Sequence, residues 1–193
     1  MAEVLLFHHV RGLTAGVMAF ADELRAAGHD VHTPDLFQGR TFDTIEAGFD
    51  YATSVGDLES QAVEVAEQLP ARLVYAGFSY GVKFAQQLAQ TRAGASGALL
   101  YEACFPITGD WAFGPWPDGV DVQIHGMDDD EIFAHEGDID AAREVVSILG
   151  PERAELFTYP GDRHLFADSS LPSYDAAAAE LLTARTLDFL SRR

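Results

Sequence analysis

The fold of this chain is decided by the stretch Leu73-Val74-Tyr75-Ala76-Gly77-Phe78-Ser79-Tyr80-Gly81. Its apolar, β-branched and aromatic first part is typical of a buried strand. Apolar residues then recur at helical spacing over 82–90, which predicts a helix directly after the second glycine. A serine between two glycines at such a junction predicts a strained turn that lifts the Ser79 hydroxyl clear of the sheet. We expect a Cβ at Gly77 or Gly81 to collide with neighbouring backbone.

A serine hydroxyl is a poor nucleophile until a base takes its proton, and the chain supplies a histidine for this task. His164 follows a predicted strand over 155–159, and the acidic loop 128–130 follows a predicted strand over 120–125. A buried carboxylate from that loop would fix the tautomer of His164 and stabilise its imidazolium form. The order serine, acid, histidine is the one that accompanies a strand–turn–helix serine.

Strands and helices alternate along the whole chain. The predicted strands cover 4–7, 31–33, 73–76, 97–101, 120–125 and 155–159, and the predicted helices lie at 14–28, 44–55, 58–69, 82–90, 139–149 and 174–190. This alternation predicts one α/β domain over residues 1–193, with a mostly parallel sheet and helices on both faces. No insertion is large enough to form a cap domain. The irregular segment 105–119 follows a strand end, and we expect it to overhang the site.

Polar residues gather where the predicted strands end. They are His8, His9, Ser79, Glu102, Asp128, Asp129, Asp130 and His164. Ligands bind at this edge in open α/β sheets. The backbone N–H groups of Tyr80 and Val10 are therefore the candidate donors of an oxyanion hole. His9 and Trp111 are candidates for the wall of a substrate pocket.

Composition restricts the possible partners. The formal net charge is −19 and the pI is near 4.4, which disfavours nucleic acid and anionic membranes. The single cysteine, Cys104, excludes an internal disulfide. The N-terminal segment lacks the features of a signal peptide, and no stretch is apolar enough to span a membrane. We therefore expect a cytoplasmic monomer or homodimer that acts on a small molecule.

The chain resembles the dienelactone hydrolase family of the α/β-hydrolase superfamily. The resemblance extends from about residue 4 to about residue 190, and its motifs are the segments 34–37, 77–81, 159–166 and 172–175. It implies a single-domain α/β-hydrolase fold without a cap domain. It also implies acyl transfer through a covalent intermediate, without a cofactor or a metal ion.

The chain departs from the family's namesake enzymes at three positions. Those enzymes have Cys where this chain has Ser79, Glu where it has His9, and a substrate-binding Arg where it has Asp168. An aspartate in the pocket would repel a substrate carboxylate. The resemblance therefore implies the fold and the acyl-transfer chemistry but not the dienelactone substrate.

The acid could be any of three adjacent aspartates. The spacing Gly-x-x-Asp that starts at Gly126 favours Asp129. The family resemblance favours Asp130, which stands two residues before Ile132, and Asp128 also remains open. We predict Asp130.

The sequence thus predicts a serine hydrolase that cleaves a carboxylic ester through Ser79, His164 and Asp130. The alternatives are hydrolysis of a thioester or an amide, lactone opening, a non-catalytic binding protein on the same fold, and a thiol enzyme that uses Cys104. A metal site built from His8, His9 and the aspartates is disfavoured, because adjacent residues of a strand point to opposite faces.

Overall fold

The computed structural model describes residues 1–193, which form six strands and six helices. The strands are β1 (Glu3–Phe7), β2 (Asp30–His32), β3 (Leu73–Phe78), β4 (Ala95–Tyr101), β5 (Val122–Met127) and β6 (Ala154–Tyr159). The helices are α1 (Ala15–Ala26), α2 (Ile45–Ser54), α3 (Leu58–Glu67), α4 (Tyr80–Thr91), α5 (Asp138–Leu149) and α6 (Ala176–Ser191). Every predicted element is present, with ends that differ by a few residues.

All six strands form one sheet in the order β2-β1-β3-β4-β5-β6, and every pair of neighbours is parallel. The prediction of a mostly parallel sheet is thus confirmed. Because parallel strands end at the same edge, the loops after β1, β3, β4, β5 and β6 all lie at one side of the sheet. This edge carries the polar residues found in the sequence.

Helices cover both faces of the sheet, as the sequence predicts. Helices α1 and α6 bury their apolar residues in a core of 21 residues on one face. The other four helices share a core of 31 residues on the opposite face. Burial on both faces explains why the central strands read as continuous apolar runs. The chain therefore has a single-domain α/β fold.

The helices begin where the sequence provides capping side chains. Thr14 Oγ1 accepts a hydrogen bond from the Val17 N–H at the start of α1, and Thr44 Oγ1 accepts one from the Ala47 N–H at the start of α2. These side chains satisfy amides that have no partner within the helix. None of the helices combines the length and the apolar character that crossing a membrane would require.

The longest segment without a helix or strand connects β4 to β5, over 102–121. Trp116 anchors it: the side chain is buried, and its Nε1–H donates to Val120 O at 2.7 Å. Trp111, in contrast, is 83% exposed. The segment is a loop, so no cap domain covers the strand ends.

Candidate active site

Ser79 lies in a strained turn between β3 and α4. Its φ is 46° and its ψ is −111°, values that a residue with a Cβ rarely adopts. A Cβ placed on Gly81 would lie 2.6 Å from His8 O, and one placed on Gly77 would overlap Gly81 O. Both flanking positions therefore require glycine, and the steric reason inferred from the sequence is confirmed.

The structure brings Ser79, His164 and Asp130 together in one hydrogen-bonded chain. His164 Nε2 lies 2.8 Å from Ser79 Oγ, and His164 Nδ1 lies 2.7 Å from Asp130 Oδ2. Asp130 is fully buried, and its other carboxylate oxygen accepts the Ile132 N–H at 2.9 Å. This network assigns the Nδ1–H tautomer to His164, which leaves Nε2 free to accept the serine proton.

The other two aspartates of the acidic loop have different partners. Asp128 Oδ1 accepts the Gly161 N–H at 3.0 Å and so joins the loop after β5 to the loop that carries His164. Asp129 is exposed, and its Oδ1 lies 3.0 Å from His135 Nε2. Of the three aspartates, only Asp130 contacts His164.

Negative charge dominates the surroundings of His164. Burial disfavours the imidazolium, but the hydrogen bond to Asp130 and the charges of Glu102, Asp130 and Asp138 outweigh burial and raise the pKa of His164. Burial also raises the pKa of Asp138 to about 6. The site therefore stabilises the imidazolium form of His164, which a proton transfer from Ser79 would produce.

The loop after β1 packs directly against the start of α4. A Cβ on Gly81 would lie 2.6 Å from both Phe7 O and His8 O, so the two backbones are in close contact. On the other side of the loop, a Cβ on Gly48 of α2 would overlap Val10 O. Val10 is thus held in a buried loop between α2 and the turn of Ser79.

His9 is fully buried and does not line an open pocket, so that prediction is corrected. Its Nε2 lies 2.8 Å from Asp168 Oδ2, and its Nδ1 accepts the Arg11 N–H at 3.2 Å. Burial lowers the pKa of His9. The ring is therefore neutral, donates from Nε2 and has no nitrogen left for a substrate.

Asp168 is buried as well, which corrects the expectation that it faces the substrate. Burial alone would raise its pKa, but hydrogen bonds from His9, Ser170 and Thr14 lower the pKa of Asp168 to about 2. Ser170 donates through both N–H, at 2.8 Å, and Oγ–H, at 2.6 Å. The carboxylate is ionised but satisfied inside the protein, beside the start of α1.

His8 has protein partners on both ring nitrogens. Its Nδ1–H donates to His9 O at 2.8 Å, and its Nε2 accepts the Leu36 N–H at 3.2 Å. Burial lowers the pKa of His8 to about 4, so the ring is neutral. His8 and His9 therefore serve as connectors between loops, and neither presents a nitrogen to a metal ion.

Cys104 is buried beside α5 and cannot act as an exposed nucleophile. Burial raises the pKa of the thiol far above its usual range, with the charges of Asp138 and Glu144 adding to the effect. The thiol therefore stays protonated. This finding argues against the thiol-enzyme alternative.

Comparison with known proteins now places the chain in a family. The sequence model of the dienelactone hydrolase family matches residues 1–193. The chain belongs to that family. Membership supports hydrolase chemistry for this dienelactone hydrolase family protein. Among curated proteins, none is a significant sequence match to this chain.

Solved structures agree with the fold of this family member. A candidate dienelactone hydrolase from Klebsiella pneumoniae aligns with a TM-score of 0.73 at 17% identity, over 100% of this chain and 88% of that chain. A dienelactone hydrolase-like promiscuous phosphotriesterase from metagenomic libraries aligns with a TM-score of 0.71 at 16% identity, over 100% of this chain and 86% of that chain. A candidate α/β-superfamily hydrolase from Xanthomonas campestris aligns with a TM-score of 0.67 at 17% identity, over 100% of both chains.

Two features of the site could not be predicted from the sequence of this family member. Leu165, directly after His164, has φ 61°, and only a glycine or an asparagine there would have signalled such a conformation. Asp138 accepts the Cys104 N–H at 2.7 Å and adds negative charge near His164. Its place at the start of α5 is typical of an ordinary helix-terminal acid, so the sequence carries no signal for this contact.

Proposed function

We propose that this protein is a serine hydrolase that cleaves a carboxylic ester through a covalent acyl-enzyme. The observation that carries the proposal is the hydrogen-bonded chain from Asp130 through His164 to Ser79. Family membership supports hydrolysis, and the turn at Ser79 supports serine as the nucleophile. The same fold can also host a protein that binds a ligand without catalysis, so a chemical test is needed.

The proposed reaction has two halves. Ser79 Oγ attacks the ester carbonyl carbon while its proton moves to His164 Nε2, and Asp130 stabilises the resulting imidazolium. The N–H groups of Tyr80 and Val10 donate to the oxyanion of the tetrahedral intermediate. His164 then gives its proton to the departing alcohol. A water molecule, deprotonated by His164, releases the acid from Ser79 in the second half.

A fluorophosphonate probe tests this proposal directly. Ser79 Oγ should bond to phosphorus and release fluoride, because the base and the oxyanion donors act on phosphorus as they do on a carbonyl. Mass spectrometry of the digested protein should find the adduct on Ser79 alone, and the Cys104→Ser variant should be labelled at the wild-type rate. A folded wild-type protein that stays unlabelled would instead favour the non-catalytic binding protein.

The charge around the site favours neutral substrates. The carboxylates of Asp130 and Asp138 act on His164, and the chain as a whole has a formal charge of −19. Two nearby arginines already have partners: Arg11 Nε–H donates to Phe42 O at 2.8 Å, and Arg163 donates to Tyr174 O at 2.8 Å. A substrate carboxylate would meet repulsion from these carboxylates, and the two arginine side chains that could offset it are each anchored to a backbone carbonyl.

An aromatic pair beside the turn adds apolar contact area. Phe49 of α2 is 52% exposed, and its ring centroid lies 6.2 Å from that of Tyr80, edge to face. Tyr80 directly follows Ser79. The pair is placed to contact an apolar group of the substrate, so we propose small neutral esters as the substrate class.

We expect kcat/KM for a neutral ester to exceed that for an analogue with one added carboxylate by about tenfold or more at low salt. The reason is like-charge repulsion in a partly dehydrated cleft, of the order of 1–2 kcal/mol when screened by water. Raising the ionic strength should reduce this preference for the neutral ester, because salt screens the repulsion. A preference for the anionic analogue that disappears in Arg11→Ala or Arg163→Ala would assign those arginines to a carboxylate site and contradict this expectation.

A further inference from the structure

Glu102 connects the segments that carry the proposed nucleophile and base. It directly follows β4, and the preceding residue, Tyr101, accepts the Ser79 N–H at 2.7 Å through its carbonyl oxygen. Glu102 Oε1 accepts the Phe166 N–H at 2.7 Å, two residues after His164. The side chain thus holds the His164 segment from the strand next to Ser79.

Burying the Glu102 carboxylate costs free energy, and one hydrogen bond does not explain why the chain keeps a carboxylate there. The residue is fully buried, and its second carboxylate oxygen, Oε2, accepts no hydrogen bond from any protein group. Its φ of 64° lies in the left-handed region, which disfavours residues with a Cβ. Glutamine would accept the same hydrogen bond without a buried charge, so the contact to Phe166 alone does not explain a carboxylate here.

The titratable groups around Glu102 come from both neighbouring loops. His164 and Asp168 belong to the loop after β6, and Asp130 belongs to the loop after β5. Burial raises the pKa of Glu102 to about 7, with the charge of His164 opposing the rise and the charge of Asp130 adding to it. The charge of Glu102 therefore helps to raise the pKa of His164, and the charge of His164 opposes the rise in the pKa of Glu102.

We propose that Glu102 is a positioning residue for His164 that acts beside Asp130 in the proposed reaction. Through Oε1 it fixes the segment 164–166. Through its negative charge it stabilises the imidazolium that His164 becomes when it takes the proton of Ser79. No bond to Glu102 forms or breaks, and Asp130 remains the direct partner of His164 Nδ1.

The test uses Glu102→Gln, which keeps an oxygen acceptor for the Phe166 N–H but removes the charge. NMR titration of histidine-labelled protein should show the pKa of His164 lowered by about one unit in this variant. At a given pH the ratio of protonated to neutral His164 then falls about tenfold. Glu155→Gln is the matched control, because Glu155 also loses one charge but lies on β6, paired with Gln123 and Arg192. It should leave the His164 titration unchanged.

Kinetics provide the second measurement. The acidic limb of the kcat/KM profile for a neutral ester should move to lower pH in Glu102→Gln by the same amount, since the base must be neutral to act. Glu102→Ala should lower kcat further than Glu102→Gln, because it also removes the acceptor for the Phe166 N–H. An unchanged His164 titration in Glu102→Gln would overturn the proposal.

The inference rests on the proposed function, yet the two can fail separately. The NMR titration needs no turnover, so it reports on Glu102 even if the protein hydrolyses no ester. Conversely, ester hydrolysis that depends on Ser79 would survive as a conclusion if the His164 titration did not respond to Glu102→Gln.

Discussion

Replacing Ser79 with alanine is expected to lower kcat for an activated neutral ester by about four powers of ten or more, as in enzymes that lose the serine of a triad. Nothing else in the site can supply the nucleophile, because the Cys104 thiol is buried and protonated. The change removes one hydroxyl from a half-buried side chain, so circular dichroism and Tm should stay close to those of the wild type.

Cys104→Ser is the matched control for that measurement, and it should retain kcat within a few-fold of the wild type. Ser79→Ala protein with more than a tenth of the wild-type kcat would contradict the assignment of Ser79. In that case fluorophosphonate labelling at another residue would identify the nucleophile that takes its place.

Replacing Asp130 with asparagine is expected to lower kcat by about 10³- to 10⁴-fold. The amide cannot stabilise the imidazolium, and it can hold His164 in the tautomer whose Nε2 carries a proton and cannot accept one from Ser79. Asp130 is fully buried against His164, so water cannot compensate for the lost charge. The measurement is single-turnover acylation by an activated ester.

The neighbouring aspartates supply controls of the same charge and size. Asp129→Asn should leave kcat nearly unchanged, because its carboxylate is exposed. Asp128→Asn should lower Tm but change kcat little, because the Asp128 carboxylate accepts the Gly161 N–H and so joins two loops. A loss as large as that of Asp130→Asn in either control would move the acid to that position.

The sequence predicts the architecture well because each element carries its own signal. The alternation of apolar strands and amphipathic helices indicates a parallel sheet without reference to distant contacts. The turn at Ser79 is equally local, since two glycines and their neighbouring strand and helix lie within one stretch. The contact between Ser79 and His164 depends on the loops after β3 and β6, which a parallel sheet brings to one edge.

The predictions that fail depend on contacts between distant parts of the chain. His9 and Asp168 are 159 positions apart, and no pattern in the sequence shows that they form a buried pair. Asp168 therefore appeared from the sequence to be a substrate-facing carboxylate. The choice among the three aspartates was open for a similar reason, because their order along the loop does not reveal which side chain turns inward.

The buried pair of His9 and Asp168 also changes how two departures from the family pattern are understood. In the namesake enzymes, position 9 is Glu and position 168 is Arg, so the acidic residue follows β1 and the cationic residue follows β6. Here the acid is on the other loop, and the two side chains touch at 2.8 Å. In this chain the two positions depend on each other, because replacing either His9 or Asp168 alone would leave a buried polar group without its partner. In evolutionary terms, positions 9 and 168 should covary.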